Sequence, residues 1–502
     1  MTTETDVTAR PNRRKVLASL GVAAVAIPAC STGTGSVNQT GGDVSDAYFA
    51  ARSRVPGSIL PELTPKAQME LAPTREVHTS YAPEVPPAID RADQRIVGVD
   101  LQVLEGVCPL DPENDVSTLM WGYRVAGDDV TCGSPGPILR GRVGDVARIS
   151  LENLEGNQHP HNIDFHAVTG QGGGAADLTV APGETASIEV RLLYPGAFMY
   201  HCAFGDVPEH IAKGMVGMFI VDPEVPLAPV DHEWAVMQSE WYVGEPGANG
   251  EAQFDRAALE LEEPRYVTFN GRTDALSGDN ALAMEVGERA RIYMVNEGIN
   301  LDSNFHPIGS HWDVVYPEAA THHDNLVIRG SQSTLVVAGG GTVTELLGLV
   351  PSTVILVDHA LVRTFYKGCI GQIVISGDPD PELFEAGQSA AGVAPEESEA
   401  EQRGPNEVSI PVGAFDPDFD EPYSPRELAV AVGTTVTWTN DDSVVHTVTS
   451  GEVAGNVGEP DGIFDSGNMA KGDTFSYTFD TAGEFPYHCT PHPWMTGTVV
   501  AS

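Results

Sequence analysis

Tyr200-His201-Cys202 sets an imidazole and a thiol side by side. Pro160-His161-Asn162-Ile163-Asp164-Phe165-His166 supplies two more imidazoles and a carboxylate. In a β-strand, successive side chains point to opposite faces. His201 and Cys202 then face opposite ways, Asp164 and His166 share one face, and His161 takes the other. One face gathers His161 with Cys202; the other gathers Asp164, His166 and His201. Downstream, His210 and Met215 add a second imidazole and a thioether. Two imidazoles, a thiolate and a weakly bound thioether are the ligand set of a blue-copper electron-transfer centre. The opposite face, with imidazoles beside a carboxylate, suits a catalytic copper with an open position. Two coppers on adjacent residues of one strand would be joined for electron transfer.

These residues resemble the copper-containing nitrite reductases. The similarity runs from about Pro135 to Ile375, through Pro135-Gly136-Pro137-Ile138-Leu139-Arg140, both clusters above, Ser303-Asn304-Phe305-His306-Pro307-Ile308-Gly309 and Asp358-His359. The resemblance implies one-electron reduction of nitrite to nitric oxide in a homotrimer, with the catalytic type 2 copper between subunits. His166 and His201 would come from one chain and His359 from its neighbour, with His306 over the open position without binding the metal. The type 1 copper would be held by His161, Cys202, His210 and Met215. Nitrite reduction also consumes two protons, and a carboxylate facing an imidazole can relay them through a water. Asp164 and His306 are those groups, Ile308 shapes the substrate pocket, and Thr342 either orients His306 or is a plain turn residue. The Cys202-to-His210 loop is slightly shorter than the common family form, a difference that bears on the colour and potential of that copper.

Two other functions compete. A multicopper oxidase-like enzyme needs several His-x-His pairs, including His-Cys-His. Here only His159-Pro160-His161 fits, and Ala203 follows Cys202. A non-catalytic copper electron carrier would leave Asp164 and His306 idle. Of the remaining histidines, His78 and His232 read as surface residues, His159 as a loop residue and His311 as a neighbour of the His306 site. The adjacent pair His322-His323 should splay its rings apart.

A chain of 502 residues suggests several domains, and its 53 Gly and 37 Pro suit many short strands and turns. The reading is all-β, with three cupredoxin-like Greek-key sandwich or barrel domains, the third on a flexible acidic linker. Residues 92–222 form the first, 223–377 the second, 378–405 the linker and 406–502 the third. In the last, Cys489-Thr490-Pro491-His492-Pro493-Trp494-Met495 follows an upstream His446 and resembles the amicyanin and plastocyanin group. That resemblance implies a second type 1 copper on His446, Cys489, His492 and Met495, while His488 has no Asp-x-His partner and is no ligand. The chain should therefore hold two type 1 coppers and one type 2 copper, with the third domain acting as a tethered electron donor beside any separate small donor protein.

The 71 acidic side chains outnumber 27 basic ones, for a net charge of −44. Such a surface repels nucleic acid and anionic membranes, and points to a salt-loving source whose ionic strength screens the repulsion. Arg13-Arg14-Lys15 ahead of the apolar run Val16 to Ala29 reads as residues 1–30 of a twin-arginine-type export signal. Ile27-Pro28-Ala29-Cys30 loosely resembles a lipobox, making Cys30 a possible lipid anchor on the outer face of the cytoplasmic membrane or in a periplasm-like space. Residues 31–91 read as a tether and amino-terminal extension. Cys108 and Cys132 could pair in an oxidising compartment, and Cys369 reads as a buried thiol.

Overall fold

A computed structural model describes residues 45–73, 78–385 and 404–502, apart from 416–418, 420, 443–444, 455–456 and 470. The expected export signal, the middle of the expected linker (386–403) and parts of the expected tether lie outside the described residues. Part of the expected tether is a helix, Asp46–Arg54, whose first turn is capped by the Ser45 hydroxyl accepting from the Tyr48 N–H. Local hydrogen bonds hold it, since it buries no residue: the Tyr48 hydroxyl donates to Pro61 O at 2.8 Å and Arg52 Nε to Leu60 O at 2.9 Å. Among the described residues no helix is long and apolar enough to cross a membrane.

The chain divides into two units, cut between Glu385 and Ala386. The first unit contains two β-sandwiches. In the first sandwich one sheet orders Val116–Val125, Arg95–Asp111, Val146–Asn153 and Thr185–Arg191. The facing sheet orders His78–Ser80, Ile138–Arg142, Val216–Asp222, Gly196–His201 and Asp164–Phe165. Both sheets are mixed rather than purely antiparallel, because Arg95–Asp111 runs parallel to Val146–Asn153 and Ile138–Arg142 parallel to Val216–Asp222. Cys108 and Cys132 are disulfide-bonded, with Cα atoms 5.9 Å apart. Cys369 is a buried free thiol.

The strand Gly196–His201 shows why alternation matters here. Tyr200 and Cys202 belong to the core between the two sheets, with Leu139, Ile163 and Phe219. Ala197 and Met199 point the other way, onto Ala235, Met237, Tyr293 and Val343 of the second sandwich. One strand therefore serves two cores. The face that ends in His201 lies toward the second sandwich, and Cys202 lies inside the first.

A buried ion network crosses the same boundary. Arg140 grips Asp222 with two bonds of 2.9 Å and reaches Glu233 at 2.7 Å; Arg291 bridges Glu233 at 3.0 Å and Glu345 at 2.6 Å. Removing one partner of such a pair leaves a buried charge uncompensated, at a cost of about 3–5 kcal/mol. The Arg140–Glu233 pair joins the two sandwiches, while Asp222 holds Arg140 from the first and Arg291 holds Glu233 from the second.

The second sandwich pairs a sheet built on His232–Trp241, Arg289–Asn296 and Gly341–Leu347 with one ordered Leu282–Glu285, Ile370–Ser376, Ser352–Asp358, Ser303–Ile308 and Thr334–Val336. The second unit is a separate sandwich. Its sheets are Glu407–Ile410, Thr434–Asn440 and Thr474–Phe479 against Glu427–Val430, Thr496–Ala501, Gly483–His488, Thr449–Ala454 and Val457–Asp465. Trp438, Tyr423, Tyr487 and Phe479 fill its core.

Candidate metal centres

Only Asp164–Phe165 of the run 160–166 is strand; it pairs antiparallel with Gly196–His201, setting Asp164 opposite His201. His161 makes a lone bridge to Val180, and the His166 N–H donates to Met199 O at 3.1 Å. The two-faced separation survives these departures from regular strand. On the inner face His161 Nδ1 stands 3.2 Å from His210 Nδ1, and Cys202 Sγ stands 3.9 Å from the first and 3.2 Å from the second. Ligands each about 2.0–2.3 Å from one ion lie roughly this far apart. The buried Met215 adjoins them: its carbonyl accepts the Cys202 N–H at 3.1 Å and its own N–H donates to His210 O at 3.2 Å. His210 itself comes from a short helix, Val207–Ala212. Burial lowers the His161 pKa, and lowers that of His210 to about 4, with His161 adding to the effect. Both imidazoles thus keep a lone pair to give. Burial pushes the Cys202 thiol up, so its thiolate needs a cation beside it. The donor set fits copper.

On the opposite face His166 Nε2 lies 3.2 Å from His201 Nε2, and Asp164 completes a cluster whose ligand atoms fall within 4.8 Å. Desolvation of the ring by its surroundings, then the neighbouring His201, lowers the pKa of His166, although the residue keeps an exposed edge. Gly173 explains how Asp164 is seated: it adopts φ +56°, and a Cβ there would stand 1.9 Å from Asp164 Oδ1. No sequence feature had marked that glycine loop.

His359 is not in this cluster. It is exposed, with its ring 5.2 Å from that of His306 and its N–H donating to Asn304 O at 2.9 Å. Asp358 fastens the turn: buried, it accepts from the N–H groups of Asn304 and Ala360 and from Arg363 Nε at 2.5 Å. His306 Nδ1 lies 2.5 Å from Gln332 O, so a backbone carbonyl orients that ring. Thr342 does not; it is buried on Gly341–Leu347, donating to Tyr316 O at 3.3 Å. Ile308 lies two residues beyond His306 on the same strand, hence on the same face, half-buried.

In the second unit, Cys489 Sγ lies 3.6 Å from His446 Nδ1 and 3.4 Å from His492 Nδ1, with Met495 buried and its carbonyl accepting the Cys489 N–H at 3.1 Å. The equivalent of His201 is His488, but a Cβ on Gly458 would meet its Nε2 at 2.0 Å. Backbone stands there where a second imidazole stands beside His201. The rings of His322 and His323 do not splay; they sit in a turn with centroids 4.3 Å apart, because strand alternation does not apply there. His159 contacts Glu105 at 3.1 Å.

Two imidazoles, a thiol and a thioether at one end of a mixed β-sandwich, built twice in one chain, define a copper-binding protein of the cupredoxin class. Residues 418–502 match the model of copper-binding proteins of the plastocyanin/azurin family, and residues 111–225 that of the multicopper oxidases. A copper-containing nitrite reductase of Neisseria meningitidis is 41% identical over 313 residues, covering 62% of this chain and 78% of that protein. Another, from Pseudomonas chlororaphis, is 33% identical over 268 residues, covering 50% and 72%. A solved copper nitrite reductase of Nitrosomonas europaea is 32% identical and covers 57% of this chain and 96% of that one, with a TM-score of 0.49. The chain belongs to the family of copper-containing nitrite reductases, which are oxidoreductases.

Proposed function

We propose that this protein reduces nitrite by one electron, consuming two protons and releasing nitric oxide and water. The observation that carries the reading is the position of the Asp164–His166–His201 cluster one peptide bond from Cys202. Copper bound at the two sites supplies the one-electron redox chemistry. The chain's own contribution is placement: His166 and His201 leave a position open beside Asp164, and Asp164 and His306 hold the protons that nitrite oxygen needs. His359, with His306 beside it, completes the set from a neighbouring chain. What supports this is its exposure, together with the exposed apolar residues of the helix that follows it, Leu361–Lys367: Val362, Phe365 and Tyr366. Exposed apolar patches of this kind mark contact surfaces, and three chains in a closed ring would cover them.

Metal content tests the reading directly. Fully loaded protein should show two type 1 coppers and one type 2 copper per chain by metal analysis and electron paramagnetic resonance, with no coupled binuclear pair. A loaded protein without a type 2 signal would sink the enzymatic reading.

The second unit is proposed as a tethered donor to the Cys202 copper. A segment of about 28 residues behaving as a random coil would have a root-mean-square span of roughly 30 Å, enough to reach across a domain. It would also hold the donor at an effective concentration approaching about the millimolar range, which offsets repulsion between two acidic proteins. After rapid reduction of the Cys489 copper, oxidation of that site by the Cys202 copper should be first-order and independent of protein concentration. A rate that scales with protein concentration, or an unchanged rate in Cys489→Ser with an external donor, overturns the proposal.

Export by the residues 1–30 remains part of this proposal, with Cys30 as a lipid anchor. The Cys108–Cys132 disulfide supports an oxidising compartment.

A further inference from the structure

The two copper sites share a feature that their ligand motifs do not contain. In the first, the far nitrogen of His161, Nε2, meets Glu105 Oε1 at 3.1 Å. In the second, the far nitrogen of His446 meets Asp442 Oδ2 at 2.9 Å. Glu105 comes from the strand Arg95–Asp111, 56 residues before His161, whereas Asp442 is only four residues before His446. Different parts of the chain thus deliver a carboxylate to the same atom of the corresponding ligand. The surroundings are matched as well. A buried tyrosine hydroxyl donates to the carbonyl that follows each first histidine: Tyr123 to Asn162 O at 2.7 Å, and Tyr423 to Thr447 O at 2.5 Å. The side chain of that same residue accepts the N–H after each cysteine, Asn162 from Ala203 at 2.7 Å and Thr447 from Thr490 at 2.8 Å.

A carboxylate accepting from Nε2 fixes the tautomer that leaves the Nδ1 lone pair facing the thiol. It also makes the imidazole a stronger donor, as carboxylates behind metal-bound histidines do. Glu105 is held firmly for this role: besides His161 it accepts from His159 Nδ1 at 3.1 Å and from the N–H groups of Gln158 and His159 at 3.1 and 2.9 Å. Asp442 and His446 are both fully buried, where little solvent screens the charge. A negative charge one imidazole away favours the doubly charged over the singly charged ion.

We propose that Glu105 and Asp442 are paired positioning residues that each stabilise the oxidised state of their own copper and so set its reduction potential. The inference rests on the type 1 ligand assignment and not on nitrite turnover. A chain without blue copper would fail that assignment, whereas a blue chain whose potential does not move fails this inference alone.

The test uses the full chain, with the other blue site silenced. In a Cys489→Ser background, Glu105→Gln should keep the blue colour of the Cys202 site and shift its oxidised-to-reduced ratio at a fixed poise at least tenfold toward reduced. That is a rise of about 59 mV for a one-electron couple. In a Cys202→Ser background, Asp442→Asn should do the same to the Cys489 site. Glu105→Gln in that second background should leave the Cys489 copper within twofold, since the brace acts only on its own metal. Should a variant lose its colour, chelator competition with the apo-protein reads the same quantity: Cu(II) affinity must fall at least tenfold more than Cu(I) affinity. A shift below twofold at either site, equal losses for both ions, or movement of the wrong copper overturns the proposal.

Discussion

Asp164→Asn should lower nitrite turnover by roughly 10²–10⁴-fold, the usual worth of positioned acid-base help, while all three coppers stay bound. That corresponds to about 3–5 kcal/mol of barrier. The substitution is nearly isosteric, so Gly173, against which the carboxylate packs, should accept it without rearrangement. What it removes is the capacity to hold and release a proton beside His166 and His201. His306→Ala should cost a similar factor, because the ring held by Gln332 O is the second proton-bearing group on the proposed path. Steady-state turnover with copper quantified on the same sample checks both. Parental turnover in either fully loaded variant removes that residue from the proton relay.

His359→Ala should empty the type 2 site, abolish turnover and leave the blue colour of Cys202 intact. The reason is spatial. Within one chain, among the described residues, the His166–His201 cluster does not include His359. If the third imidazole comes from a neighbour, two inactive variants can repair each other. In trimers reassembled from equal amounts of His359→Ala and His166→Ala chains, about a quarter of the interfaces in a closed ring pair an intact His166 with an intact His359. Those sites should regain type 2 copper and activity. Verified mixed trimers with no recovery would place the whole site within one chain.

The grouping of the candidate ligands is local and was legible in the sequence. Adjacent residues on a strand point opposite ways, so His201 and Cys202 fall in two different side-chain clusters. The spacing Cys489, His492, Met495 curls one short loop around one centre. Even so, regular strand geometry overstated the case: only Asp164–Phe165 of the upstream run is paired as strand, and a lone bridge and a backbone bond to Met199 hold the flanking histidines. Alternation failed altogether at His322-His323, where a turn brings the rings together.

What surrounds the ligands was decided by pairing between distant parts of the chain. Glu105 reaches His161 only because Arg95–Asp111 lies in the sheet beside Val146–Asn153. Gln332, not Thr342, meets His306 because the chain folds back beside Ser303–Ile308. The Arg140–Glu233–Arg291–Glu345 network exists only where two sandwiches meet. Covalent geometry propagates over a few residues, and it determines which groups can share a metal. The charge behind each imidazole comes from whichever segment packs there, and packing is a property of the whole fold.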